Sequence, residues 1–124
     1  MSNILYKEES YAIVGALFDV YNNLGSGFLE IVYKDALSYE FQQRGIPFGR
    51  EKEFSISYKD HILPHKFYAD FVVFDKIILE IKSVENLHDK HLAQCLNYLK
   101  VSGCKLAILA NFHKDLLDHR RIIY

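Results

Sequence analysis

Apolar residues recur at helical spacing in the first third of the chain and at strand spacing through its middle. Between Ile4 and Asn23, Tyr11, Val14, Leu17, Phe18 and Tyr21 fall on one face of a 3.6-residue period, which predicts a helix. Leu24-Gly25-Ser26-Gly27 interrupts it, and Gly25 suits a left-handed cap. Phe28 to Arg44 repeats the pattern through Leu29, Val32, Tyr33, Ala36, Leu37 and Phe41. Ser26 is the expected N-cap, with Gly45 and Pro47 as the stop.

The period then changes. From Glu51 to Tyr58 polar and apolar residues roughly alternate, so Pro47–Tyr58 reads as a strand with one wet face. Lys59-Asp60-His61 reads as a turn. His61–Phe74 is a second strand whose first half, broken by Pro64, is expected to be an edge or irregular. Asp75-Lys76 reads as a tight turn into a third strand, Ile77–Lys82. After the polar link 83–86, a helix is predicted over Leu87–Val101, with Leu92, Cys95, Leu96 and Leu99 inward. Cys104–Ala110 is a continuous apolar run of the kind buried on both faces. Asn111–Asp115 is a turn, and the C-terminal DHRRIIY is an edge strand. No repeat, low-complexity run or linker interrupts residues 1–124, so one domain is expected. Three meandering strands, a crossover helix and a further strand imply an α/β fold of the α+β type, with a mixed central sheet flanked by helices.

Charges break this pattern where it is most apolar. Asp70 lies in the second strand, and Glu80 and Lys82 lie in the third around Ile81. An unpaired buried charge costs several kcal/mol. Glu80 and Lys82 share a face. A loop centred on Asp75 sets Asp70 opposite Glu80, whereas a strict two-residue turn sets it opposite Ile81. Opposed β-carbons lie ~5 Å apart, within reach of one hard divalent cation. The Ile81 carbonyl is a further candidate oxygen ligand, and Lys82 a candidate partner for a water or a phosphate. The alternative is structural: Asp70 as a hydrogen-bonded core carboxylate, and Glu80 with Lys82 as an ion pair.

Composition narrows the classes. Formal net charge is −1, so any nucleic-acid binding must rest on local patches or on a metal that offsets phosphate charge. Cys95 and Cys104 make neither a disulfide framework nor a four-thiolate site, and both read as buried free thiols. The first ten residues do not form a signal peptide, no segment reaches the ~20 apolar residues of a membrane span, and a cytoplasmic location is expected. His88 and His91 lack further zinc ligands at suitable spacing and read as solvated helix-end residues. Glu30 reads as a helix first-turn acid, and Gln94 with Tyr98 as neighbours on one helix face.

Taken together, Asp70 with Glu80-Ile81-Lys82 resembles the D…(D/E)-x-K signature of the PD-(D/E)XK nuclease superfamily. Gln94-Cys95-Leu96-Asn97-Tyr98 resembles the Q-x-x-x-Y element of its RecB-like branch. Gly27-Phe28-Leu29-Glu30-Ile31-Val32-Tyr33 is similar to the motif that names the bacterial GxxExxY family of the same superfamily. Ala69 stands where the signature often has proline. The resemblance implies a restriction-endonuclease-like αβββαβ core. It implies a Mg²⁺- or Mn²⁺-dependent nuclease acting on DNA, with Asp70 and Glu80 as metal ligands and Lys82 as the catalytic lysine. Glu30 is expected to face the same site, and Gln94 and Tyr98 to meet the site or the nucleic-acid backbone. A nuclease-fold module that binds nucleic acid or a protein without catalysis is the alternative. Lys66, Lys90, His88 and His91 are candidate phosphate contacts. Arg120-Arg121-Ile122-Ile123-Tyr124 is a candidate homodimer surface.

Overall fold

The computed structural model describes residues 4–124. Its elements are α1 (Lys7–Leu24), α2 (Glu30–Arg44), β1 (Phe48–Tyr58), β2 (His61–Val73), β3 (Ile77–Lys82), α3 (Asp89–Ser102), β4 (Leu106–Phe112) and β5 (Leu117–Ile123). The five strands form one sheet in chain order. β3 and β4 are parallel, joined across α3, and every other neighbouring pair is antiparallel. The sheet is therefore mixed, with helices on both faces, as the pattern predicts.

The two faces carry two cores. Phe71, Val73, Ile77, Leu79, Ile81, Leu106, Ile108, Ala110 and Phe112 pack against α1 and α2. Ala69, Val72, Ile78, Ala107 and Leu109 pack under Cys95 and Leu99 of α3. β3 and β4 are buried on both faces, which explains their unbroken apolar runs.

α1 is rotated by one residue from the predicted stripe. Ile13, Ala16, Leu17 and Val20 are buried, whereas Tyr11 is 83% exposed and Phe18 is exposed. A smooth aliphatic ridge with Ala16 at its centre packs against the core, and the bulkier rings stay at the edge. α2 buries Tyr33, Leu37 and Phe41 as expected, but it starts at Glu30. Ser26 does not cap it, and Leu29 is exposed. The Tyr33 hydroxyl organises that end instead. It donates to the Gly25 carbonyl (2.7 Å) and accepts from the Phe28 N–H (3.3 Å), while its ring stacks on Phe112 at 4.0 Å. Gly27 turns the loop at φ +99°, which a side chain would oppose. Thus Gly27 and Tyr33 fix where Glu30 begins the helix.

β1 and β2 form a long hairpin. Only Phe71–Val73 of β2 pairs with β3, so the Pro64 half is paired on one side alone. A bulge lies between Ser55 and Ser57, opposite the Pro64 region. β4 continues through Asn111 to Phe112, past its predicted end. The buried Asn111 amide accepts the Val84 N–H and donates to the Val84 carbonyl, each at 2.9 Å. A polar residue in a buried strand is thereby satisfied, and the segment leaving β3 is pinned. Cys95 is buried as expected, but Cys104 is only half-buried, at the start of β4's approach. β5 forms the predicted edge strand.

Candidate active site

Between β2 and β3 lies a three-residue loop, 74–76, with Phe74 and Asp75 at φ +56° and +57°. The observed pairs Phe71↔Leu79, Val72↔Ile78 and Val73↔Ile77 carry Asp70 opposite Glu80. The tight two-residue turn at Asp75-Lys76 is not formed, because the third residue is what keeps this register. Beyond Phe71 the regular pairing stops, and the two carboxylates bridge the gap. Glu80 Oε2 accepts the Asp70 N–H at 2.7 Å, and Asp70 Oδ2 accepts the Ile81 N–H at 2.8 Å. Each acid replaces a ladder bond of the opposite strand, so neither can shift without opening the sheet.

Asp70 does not lie squarely on the face of Glu80. Phe71 and Val73 point to α1 and α2, while both Ala69 and Val72 point to α3, so the alternation of β2 slips at Asp70. β1 slips with it. Arg50 pairs with Phe71 and Lys52 with Ala69, the Glu51/Asp70 pair is skipped, and Glu51 sits at φ +53°. Asp70 thus stands at the seam between the faces, and its Oδ1 meets Lys34 Nζ of α2 at 3.0 Å. Lys34 also pairs with Glu51.

Glu80 is 4% exposed. Burial, with the charge of Asp70 beside it, pushes its pKa up to about 8. Glu80 is thus disfavoured as an anion mainly by its burial, and Asp70 beside it adds to this. Lys82 lies near but forms no ion pair with Glu80 among the described residues, so the structural ion-pair alternative does not account for Glu80. Burial and the same two acids raise Tyr98 to about 12, which keeps its hydroxyl a donor beside Glu80. The Tyr98 ring stacks on Phe67 at 4.4 Å, and Phe67 stacks on Phe54 at 5.2 Å, so the outer hairpin holds it. Burial lifts the Cys95 thiol to about 12, which leaves it unreactive.

Glu30 is not a third member of the acid pair. Its carboxylate accepts the Ser83 N–H at 3.2 Å, just beyond Lys82, and the Ser83 hydroxyl donates to the Phe28 carbonyl. Among the described residues, no group of three or more His, Cys, Asp or Glu side chains converges to hold a metal. The donor set of two carboxylates still suits Mg²⁺ or Mn²⁺, since such ions take one or two protein carboxylates and complete their shell with water and substrate phosphate. Gln94 is exposed and borders a shallow groove with Lys90, His91 and Asn97. Of the histidines read as solvated, His91 is half-buried. Its Nδ1 accepts the His88 N–H at 3.0 Å, at the start of α3, and burial with Lys82, Lys90 and His88 nearby lowers its pKa. Lys66 pairs with Glu53 on the exposed hairpin.

Lys34, Glu51 and Asn111 escaped the sequence reading. Lys34 had a signal: it lies four residues after Glu30, so a helix face that turns Glu30 toward the site turns Lys34 there too. Glu51 had none, because its position depends on a break in the strand.

The sequence pattern of the PD-(D/E)XK nuclease superfamily matches residues 7–122. The chain belongs to that superfamily, whose nucleases generally use divalent metals, and it carries a nuclease-type domain. It is similar in fold to the crystal structure of SSO0001, with a TM-score of 0.62 at 19% identity, over 95% of this chain and 57% of that one. The chain thus spans a little over half the length of that protein. No curated protein matches this chain. No helix among the described residues is long and apolar enough to cross a membrane.

Proposed function

We propose that this chain is a metal-dependent nuclease that hydrolyses phosphodiester bonds in DNA as a single domain of the GxxExxY family, in the RecB-like branch. The observation that carries the reading is the Asp70/Glu80 pair, two acids locked by reciprocal hydrogen bonds in a buried seam. Asp70, Glu80 and the Ile81 carbonyl would hold Mg²⁺ or Mn²⁺, which would supply a more acidic water and offset charge developing on the phosphate. Lys82 donates to the attacking water or to a non-bridging phosphate oxygen. Tyr98 stays neutral and donates to Glu80, which fixes the direction of that carboxylate. Glu30, held by Ser83, stands at the mouth of the site and orients the catalytic water. Gln94, with Lys90 and His91 beside it, contacts the nucleic-acid backbone. β5 provides a homodimer edge, with Ile123 and Tyr124 exposed, and the cytoplasm is the proposed location.

The test is cleavage of single-stranded, double-stranded and branched DNA with Mg²⁺ or Mn²⁺. Wild type is expected to cut at least one substrate. Lys82→Ala is expected to cut it about 10²-fold or more slowly, the scale of losing one preorganised donor. If wild type and Lys82→Ala are equally inert on all three, the non-catalytic binding module is the better account. The net charge of −1 is the feature that favours it.

A further inference from the structure

The seam at Asp70 contains a cation of the protein's own. Lys34 Nζ sits 3.0 Å from Asp70 Oδ1, and its side chain is 13% exposed, so it is not a mobile surface lysine. Its ammonium group is held by two acids, Asp70 and Glu51. The other Asp70 oxygen is committed to the Ile81 N–H. A divalent ion approaching Asp70 therefore meets an ammonium group already on the only oxygen not tied to the sheet. The two cannot share it, because like charges a few ångströms apart repel strongly in a partly buried site.

Glu51 offers Lys34 somewhere else to go. It lies in the middle of β1, where regular backbone would put its side chain elsewhere. Instead it adopts φ +53°, a conformation that side-chain-bearing residues rarely take, and it reaches Lys34 from the side opposite α2. Its carboxylate is 48% exposed, so it can follow the lysine a short way outward. The skipped Glu51/Asp70 pairing is the backbone cost of bringing these three groups together.

We propose that Lys34 is an internal cation that competes with the divalent metal for Asp70, and that Glu51 takes Lys34 over when the metal enters. The proposal presupposes the metal-dependent reading of the Asp70/Glu80 pair. It makes opposite predictions for the two partners. Lys34→Met removes the competitor, and Glu51→Gln removes the acceptor that draws it away.

Mn²⁺ binding is measured by electron paramagnetic resonance of the free ion, without nucleic acid, on wild type, Lys34→Met and Glu51→Gln. Melting curves confirm that each is folded. Lys34→Met is expected to bind Mn²⁺ about tenfold more tightly or better, and Glu51→Gln about threefold more weakly or worse. Should Lys34→Met not fold, the half-exposed Glu51 position still decides the sign, since Glu51→Gln with unchanged or tighter binding overturns the proposal. Wild type that binds Mn²⁺ while Lys34→Met binds equally or more weakly also overturns it and leaves the metal site standing. Wild type that binds no Mn²⁺ overturns the metal reading and this proposal with it.

Discussion

Asp70→Ala lowers Mg²⁺-dependent cleavage by about 10³-fold or more, the rate equivalent of several kcal/mol of lost metal-centred stabilisation. The same change weakens the fold. It leaves the Ile81 N–H without its acceptor in a closed seam, and it leaves Lys34 with Glu51 alone. An unsatisfied buried donor costs about 1–3 kcal/mol. Urea denaturation is therefore expected to show Asp70→Ala less stable by about 2 kcal/mol. Asp70→Asn separates the two effects. Its amide oxygen can still accept from Ile81, so the share of stability carried by that hydrogen bond returns although Lys34 still loses its Asp70 partner, while activity stays at the level of the alanine variant. If Asp70→Asn retains wild-type cleavage, Asp70 is a core carboxylate and the catalytic assignment fails.

The second large effect has the opposite sign for stability. Glu80 has a folded-state pKa of about 8 against an ordinary 4.5, raised by burial and then by Asp70. Its folded pKa lies above its unfolded one, which is unusual for a carboxyl group. Between those two values the folded state holds a proton that the unfolded chain has released. Stability is therefore fully present below the unfolded value and falls as pH rises toward 8, by up to about 1.4 kcal/mol per unit for one proton. Glu80→Gln removes this dependence. Its side-chain oxygen still accepts the Asp70 N–H, and its amide donates where the carboxylate repelled Asp70. At pH 8 without metal the variant is expected to be more stable than wild type by on the order of 2 kcal/mol, and inactive. Denaturation from pH 5 to 9 checks both slopes. A wild type whose stability is flat over that range would place Glu80 in an ordinary ionised state.

These effects share one cause. The carboxylates are held against their mutual repulsion by the main chain of β2 and β3, and that arrangement costs stability unless a cation compensates. Lys34 offsets part of that cost for Asp70 alone. Glu80, which lies toward Tyr98 and Cys95, forms no ion pair among the described residues, and its burial favours the protonated form.

Much of this was legible in the sequence, for identifiable reasons. The element order and the mixed sheet followed from the change of period between Arg44 and Pro47 and from the unbroken apolar runs of β3 and β4. The Asp70/Glu80 register followed from a loop centred on Asp75, although the choice between two- and three-residue loops was open. The left-handed Phe74 and Asp75 decide it; Asp tolerates that conformation, but Phe74 gives no sign of it. The face of α1 was misplaced by one residue, because Tyr11 and Phe18 compete with Ile13 and Val20 for the same hydrophobic signal. The second helix start was misplaced because the cap-like Ser26 does not cap, and the Tyr33 hydroxyl does its work from one turn further on. Nothing in the alternation of β1 and β2 foretold that both strands slip together at Glu51 and Asp70. That slip is a tertiary event, and it decides that Asp70 faces Lys34. The resemblance implies that Gln94 meets the site or the nucleic-acid backbone; its side chain is exposed beside Lys90, His91 and Asn97.

The central claim is that Asp70 and Glu80 together hold a divalent metal. Its most direct test is anomalous diffraction from crystals soaked in Mn²⁺ at pH 8.5, where Glu80 gives up its proton. The account predicts a Mn²⁺ peak within ligand distance of both carboxylates, with Lys34 withdrawn toward Glu51. A crystal saturated with Mn²⁺ that shows no peak there, with Lys34 still on Asp70, would contradict it.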